Sequence, residues 1–251
     1  MSKLRLEAKE NLKKLLRAAG IKVSKVQKGS VAGTDLATDL SLVVRKNSPL
    51  CLDVGANQGQ TIALFNVVFN DPDIYAFEPS QKIFKQLDAN YSSARVQVYN
   101  LALGSSPGEK EFINYEDPCL SSFLRLEASP ENRFRQTSVR GHETVVVDTI
   151  DRFVSREKLG LIDLLKIDTQ GYDFEVLKGA SGALKNGLIQ NVLVELNFIP
   201  MYEGQGSSTE ILEFLSMHGL RLVDFYEKFR DGRSLAWCTA LFHRPQDRGV
   251  S

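Results

Sequence analysis

The sequence predicts an α/β fold: a doubly wound, mostly parallel sheet with helices before it and an antiparallel hairpin at its C-terminal end. Three observations predict it. Short apolar runs alternate with helix-patterned segments along most of the 251 residues. The run 49–54 lacks polar alternation, as expected of a strand covered on both faces. A glycine turn then joins that strand directly to a helix, the start of a βαβ unit.

The elements follow in order. Residues 3–19 pattern as an amphipathic helix, with Leu4, Ala8, Leu12, Leu15, Leu16 and Ala19 on one side and Gly20 as its stop. Residues 34–45 read as a second helix that delivers the chain to the first strand. Helix 60–69, strand 74–77, helix 80–91 capped by Ser80, and strand 96–101 come next. Segments 109–114 and 144–147 are expected to pair with each other. A helix starts at 149–154, an apolar strand spans 161–167, and a helix covers 174–177. Strand 192–196 and helix 209–218 lead to strands 220–226 and 235–242, joined through the Asp231-Gly232 turn. The expected organisation is a helical extension over 1–48 and a sheet domain over 49–245. Within that domain, 115–141 has few strong elements and reads as a substrate lid.

Composition narrows the function classes. Formal net charge is zero, which disfavours non-specific binding to nucleic acid. No run of 18 or more apolar residues is present, so no spanning helix is expected. The three cysteines, Cys51, Cys119 and Cys238, are sparse and lack CxxC spacing. That suits a reducing cytoplasm and offers no zinc site. Residues 1–28 hold nine basic residues against two acidic ones. They read either as a peripheral contact with anionic lipid or an acidic partner, or as a packed helix with a solvated basic face. The second reading is preferred. The same helix could join two copies into a homodimer.

The densest chemistry lies in the run Asp53-Val54-Gly55-Ala56-Asn57-Gln58-Gly59-Gln60-Thr61, followed by Glu78-Pro79-Ser80. Gly55 permits a sharp turn, and Gly59 opens a helix beside a ligand. Glu78 follows Gly59 by 19 positions, close to the offset at which an acid meets a ribose diol. A dinucleotide site would use G-x-G-x-x-G and seat a pyrophosphate. Here one glycine is missing, and Asp53 would repel phosphate. A carboxylate there suits a cationic ligand end, which favours S-adenosylmethionine over NAD.

These residues resemble the FkbM family of S-adenosylmethionine-dependent methyltransferases. The resemblance continues through Asn100-Leu101-Ala102-Leu103-Gly104, Asp148-Thr149-Ile150-Asp151, Lys166-Ile167-Asp168-Thr169-Gln170-Gly171-Tyr172-Asp173, Leu177-Lys178-Gly179-Ala180 and Val194-Glu195-Leu196. It spans about 50–243. Asp173 stands where the family usually shows Glu. The resemblance implies a Rossmann-like class I methyltransferase fold with a closing hairpin, and O-methylation of a sugar, glycan or natural-product hydroxyl. It also implies that Ser121 and Ser122 reach the cofactor, with S-adenosylhomocysteine as product.

Methyl transfer requires an acceptor oxygen held in line with the methyl group and, for a sugar hydroxyl, a base. Asp168 ends an apolar strand and is the best base candidate, or else it lines the methionine end of the cofactor. Glu195 ends the next strand, and His142 lies beside the lid. The cofactor turn is assigned to Asp53, Gly55, Ala56, Asn57 and Gly59, flanked by Gln60, Thr61 and Pro79. Glu78 is expected on the ribose, with Ser80 and Leu101 flanking the adenine and Ala102 nearby. No third ligand accompanies Asp168 and Glu195, so no metal is assigned. Arg125, Arg133, Arg135 and Arg140 hint at an anionic acceptor if 115–141 is a lid. Two other classes remain: a non-catalytic partner built on a cofactor fold, and a nucleic-acid methyltransferase. The latter is disfavoured because Asp168-Thr169-Gln170-Gly171 stands where an Asn-Pro-Pro-aromatic motif belongs.

Overall fold

A computed structural model describes Leu16, Val31 and residues 33–245. Apart from Leu16, the predicted helix over 3–19 lies outside these residues. Helix α1 (Leu36–Val44) starts on Asp35, whose carboxylate accepts the Thr38 N–H. Strand β1 (Leu50–Val54) and helix α2 (Gln60–Val68) form the first βα unit. Strand β2 (Asp73–Phe77), helix α3 (Gln81–Tyr91) and strand β3 (Val96–Tyr99) follow. Ser80 does occupy the cap position of α3, but its side chain makes no capping bond.

Strands β4 (Ala102–Leu103), β5 (Gly108–Tyr115) and β6 (Val139–Asp148) form a small second sheet. Its β5–β6 pair is the expected antiparallel one, with Glu109 opposite Val146. Helix α4 (Ile150–Arg156) is capped by the Thr149 hydroxyl. Strand β7 (Leu164–Ile167) leads to the short helices α5 (Asp173–Lys178) and α6 (Ser181–Lys185). Strand β8 (Asn191–Asn197) precedes helix α7 (Ser208–Met217), which opens with a full capping box between Ser207 and Glu210. Strands β9 (Arg221–Asp231) and β10 (Ser234–His243) make the closing hairpin.

The main sheet has seven strands in the order β3-β2-β1-β7-β8-β10-β9. All neighbours are parallel up to β8; β10 then pairs antiparallel with both β8 and β9. Alternate residues of each central strand feed opposite cores. Leu52 and Val54 of β1 face α4–α7, packing with Phe153, Val176, Leu184 and Leu215. Cys51 faces α1–α3 and packs with Leu40, Ile62 and Phe65. That two-sided burial explains why the strands read as continuous apolar runs. Cys51 and Cys238 are fully buried core residues, as expected.

The strand order reverses between β1 and β7, and the crevice over their C-terminal ends is where open α/β sheets bind ligands. Segment 115–141 crosses this end. It carries one 3-10 turn (Pro118–Leu120) and is well tied down. Glu127 N–H donates to the Met201 carbonyl, the Asn132 amide donates to the Glu127 and Met201 carbonyls, and the Tyr202 hydroxyl donates to the Leu120 carbonyl. No helix among the described residues is long and apolar enough to cross a membrane.

Candidate active site

A cavity of about 470 Å³ opens over the C-terminal ends of β1, β2, β7 and β8. That size suits a small-molecule cofactor with room for a reacting group. Of the sequence-assigned residues, Gly55, Ala56, Asn57, Gln60, Thr61, Glu78, Pro79, Ser80, Leu101, Ala102, Ser121, Asp168 and Glu195 line it. Asp53, Gly59, Ser122 and His142 do not, each for a physical reason.

Asp53 is fully buried below the turn, opposite Lys166 in the β1–β7 register. Lys166 Nζ lies 3.0 Å from Asp53 Oδ1, a close ion contact without hydrogen-bond alignment, so both carboxylate oxygens lack a directed donor. Burial pushes the Asp53 carboxyl up, and the Lys166 ammonium opposes that shift. Its neighbouring charge is therefore a lysine of this chain, and Asp53 is not part of the cavity lining. Lys166 Nζ also donates to the Gly55 carbonyl at 2.9 Å and stands 4.0 Å from Asp168 Oδ2.

Gly59 has φ of +90°, and a Cβ there would sit 2.4 Å from the Tyr91 ring. Its left-handed backbone and its packing against Tyr91 both call for glycine. Gly55 has φ of +78°, and a Cβ would meet the Asp168 carbonyl at 2.0 Å, so this glycine lets β1 and β7 loops close together at the cavity floor. Ser122 is buried and donates to the Gln170 carbonyl, bracing the loop after β7. His142 lies in an adjoining groove on β6, with Nδ1 3.2 Å from Glu111 Oε1. It is not brought to the cavity as a base.

Glu78 sits at the end of β2, only 6% exposed. Its Oε2 accepts the Asn57 N–H at 2.9 Å and its Oε1 accepts the Ser80 N–H at 2.8 Å. Burial nevertheless dominates and pushes the carboxyl up to about 7, against the pull of those two bonds. Each oxygen keeps a second lone pair for a ligand hydroxyl.

On the opposite side, Asp168 follows β7 and Glu195 lies in β8. Asp168 Oδ1 accepts from the Gln170 amide at 2.6 Å, and Gln170 holds a left-handed backbone, φ 55°. Glu195 Oε2 accepts from the Asn197 amide at 3.1 Å. Burial, reinforced by Asp168 and Asp173, pushes the Glu195 carboxyl well above the usual carboxylate range. Asp173, the position that departs from the resemblance, is buried and accepts the Thr169 and Gly171 N–H groups. It fixes the turn that presents Asp168. Tyr172 also lines the cavity, with its hydroxyl 3.1 Å from Lys110 Nζ.

Several lining residues escaped the sequence reading. Thr169 belongs to a recognised motif but received no role. Cys119 is exposed at the cavity, with Asn57 Nδ2 3.5 Å from its Sγ. Glu227 and Thr239 reach the cavity from the closing hairpin. No local signal marks these two; only the strand pairing brings them in. Among the described residues, no cluster of three His, Cys, Asp or Glu could hold a metal ion.

The site fits a polar, multi-hydroxyl cofactor on structural grounds. Asn57 Oδ1 and Thr169 Oγ1 are buried, line the cavity and have no partner in the protein. Buried polar atoms left unpaired are costly, so they mark positions where a ligand supplies the missing bonds. Leu101, Ala102, Ile83 and Phe77 make an apolar slot beside Glu78, as an adenine ring requires.

The sequence also matches known proteins. The Methyltransferase FkbM domain profile matches residues 53–222. The hexuronic acid methyltransferase AglP of Haloferax volcanii is 28% identical over 147 residues, 58% of this chain and 54% of that protein. The chain thus spans about half the length of that relative. The 2-O-methyltransferase NoeI of Sinorhizobium fredii is 23% identical over 180 residues, 69% of this chain and 73% of that protein. Among solved structures, magnesium protoporphyrin IX methyltransferase from Synechocystis, with bound S-adenosylmethionine, is 10% identical, with TM-score 0.44 over 79% of this chain and 71% of that one. The profile match, over more than half of the residues, places this chain in the FkbM family of methyltransferases, with S-adenosylmethionine as its cofactor.

Proposed function

We propose that this chain transfers the methyl group of S-adenosylmethionine to a hydroxyl of a sugar, glycan or related natural product. The observation that carries the reading is the two-sided cavity: Glu78 stands on one wall, and Asp168 and Glu195 stand on the other, at the ends of adjacent strands. A hydroxyl acceptor is supported by the name of the 2-O-methyltransferase relative, and a sugar acceptor by that of the hexuronic acid methyltransferase.

The cofactor supplies an electrophilic methyl on a sulfonium. The chain does the rest. Glu78 accepts the ribose hydroxyls, and Leu101 and Ile83 hold the adenine away from water. Asp168 orients the acceptor hydroxyl, and Glu195 takes its proton as the carbon–oxygen bond forms and the carbon–sulfur bond breaks. A carboxyl raised by burial is the stronger proton acceptor once ionised. Water exclusion by Phe123 and Pro118 of segment 115–141 keeps the hydroxyl the only nucleophile at hand.

Calorimetric titration with S-adenosylmethionine, S-adenosylhomocysteine and NAD tests the cofactor part. Micromolar binding of the first two alone is expected. Acceptor-dependent release of S-adenosylhomocysteine from a panel of glycosides then tests the transfer. Cofactor binding without transfer to any hydroxyl would point to a non-catalytic partner protein.

A further inference from the structure

The acceptor side of the cavity carries an unbalanced charge. Asp168, Glu195 and Glu227 line it, and Lys166 is its lysine or arginine among the described lining residues. That lysine is already committed to Asp53 and the Gly55 carbonyl. The arginines of segment 115–141 do not compensate. Arg133 lies over the Phe134 and Phe229 rings, and Arg135 donates to the Pro130 and Asn132 carbonyls. Arg140 lines the adjoining groove with His142. No arginine lines the cavity among the described residues; Lys166 is committed, and Lys110, over the Phe123 and Tyr172 rings, donates to the Tyr172 hydroxyl.

Glu227 is held there deliberately. It has φ of +47° inside β9, a conformation that a residue with a Cβ adopts at a cost. The β9–β10 register shifts between Trp237 and Thr239, beside it. Its Oε2 accepts the Thr239 hydroxyl at 2.8 Å. Thr239 lies directly opposite Glu195 in an unbroken β8–β10 register, so their side chains share one face. Asn197, two residues beyond Glu195 and 8% exposed, donates to Glu195 and keeps a buried Oδ1 with no partner in the protein. Thr169 Oγ1, on the cavity wall, is likewise unpaired. The wall thus offers three carboxylates and the Thr169 and Thr239 hydroxyls to a ligand rich in O–H or N–H donors.

Resting on the methyltransferase reading above, we infer that the acceptor is a neutral or cationic polyol ring, and that Glu227 and Thr239 select it against rings bearing carboxylate or phosphate. Carboxylates bind hydroxyl and ammonium donors through charge-assisted bonds and repel anions, and Glu227 does so from the exposed rim, where solvent screens part of its charge. With Glu195 protonated, Asp168 and Glu227 still outweigh the committed Lys166. A bound S-adenosylhomocysteine carries no net charge, so it leaves that imbalance in place. The acceptor class differs from the hexuronic acid in the name of the archaeal relative.

The test uses the full chain loaded with S-adenosylhomocysteine. Methyl hexopyranosides of gluco, galacto and manno configuration, their uronates and their 2-amino forms are titrated by saturation-transfer NMR. At least one neutral or amino ring is expected to bind tenfold or more tightly than its uronate. Glu227→Gln is expected to narrow that gap several-fold while S-adenosylhomocysteine affinity stays unchanged. A uronate that binds as well as its neutral partner overturns the inference, and so does binding by none of the rings. Failure of S-adenosylhomocysteine to bind at all, measured in the same samples, would instead overturn the methyltransferase reading.

Discussion

The two walls of the cavity are built in different ways. The cofactor wall comes from one stretch of chain, Gly55 to Ala102, and its polar groups are fixed by neighbouring backbone. Glu78 is gripped by the N–H groups of Asn57 and Ser80, and Asn100 donates to the Glu78 and Pro79 carbonyls. The acceptor wall draws on Cys119, Phe123, Asp168, Glu195, Glu227 and Thr239, which only the strand order brings together. A locally built wall tolerates divergence elsewhere in the chain. A wall assembled over long separations changes whenever a loop or the hairpin changes, so acceptor specificity can shift while the cofactor stays the same.

The sharpest way to break this division is at its carboxylates. Asp168→Asn and Glu195→Gln should each lower turnover by about 10²–10⁴-fold, with S-adenosylhomocysteine affinity within a few-fold of the native protein. Collapse of cofactor affinity in Asp168→Asn would move that residue to the cofactor wall. Turnover of the native chain should rise with pH as Glu195, raised by burial, gives up its proton. That limb should vanish in Glu195→Gln.

Lys166 lies beneath both walls. Lys166→Met strands the buried Asp53 carboxylate and should cost about 3–5 kcal/mol of stability, read by chemical denaturation. The double variant Lys166→Met/Asp53→Leu should recover most of it; a single variant as stable as the native chain would show that the pair is not needed.

Glu78 sharpens the comparison through pH. Its folded carboxyl sits at about 7 against an ordinary value of 4.5. The folded state thus binds this proton more tightly than the unfolded chain does. The resulting stability is present below about pH 4.5 and is lost as pH rises to about 7, a span of order 3 kcal/mol. Cofactor binding runs the other way, because the ionised carboxylate accepts the ribose hydroxyls: affinity should rise with pH and level off above about 7. Glu78→Gln should flatten both profiles. Glu78→Ala should weaken S-adenosylhomocysteine about tenfold or more, and unchanged affinity would remove Glu78 from the ribose. The smallest effect belongs to Cys119→Ser at the exposed rim, expected to shift stability by no more than about 0.5 kcal/mol; a large loss of turnover would place Cys119 on the acceptor.

The legible part of this protein was the part whose physics is local. Two-sided burial writes itself as apolar runs, so β1, β2, β7 and β8 were readable, and the Asp231-Gly232 turn announced the hairpin. Gly55, Asn57, Glu78 and Ser80 were readable as neighbours at one cavity wall because turn, helix start and acid recur at a set spacing. Reading fails where one residue type answers two demands. Gly59 looked like a ligand contact, yet its missing Cβ makes room for Tyr91. Asp53 looked like a partner for a cation of the cofactor, yet that cation is Lys166, 113 positions away in the chain and directly opposite in the sheet. His142 was placed beside the cavity by its position after 115–141, but β6 carries it into the neighbouring groove. Sequence alone determined the strands, the cofactor and the family, because two-sided burial and close turns depend on neighbours a few residues apart. Tertiary structure alone decided which carboxylates meet at the cavity, because Glu195, Glu227 and Thr239 meet through strand register, a distance in space that no spacing along the chain encodes.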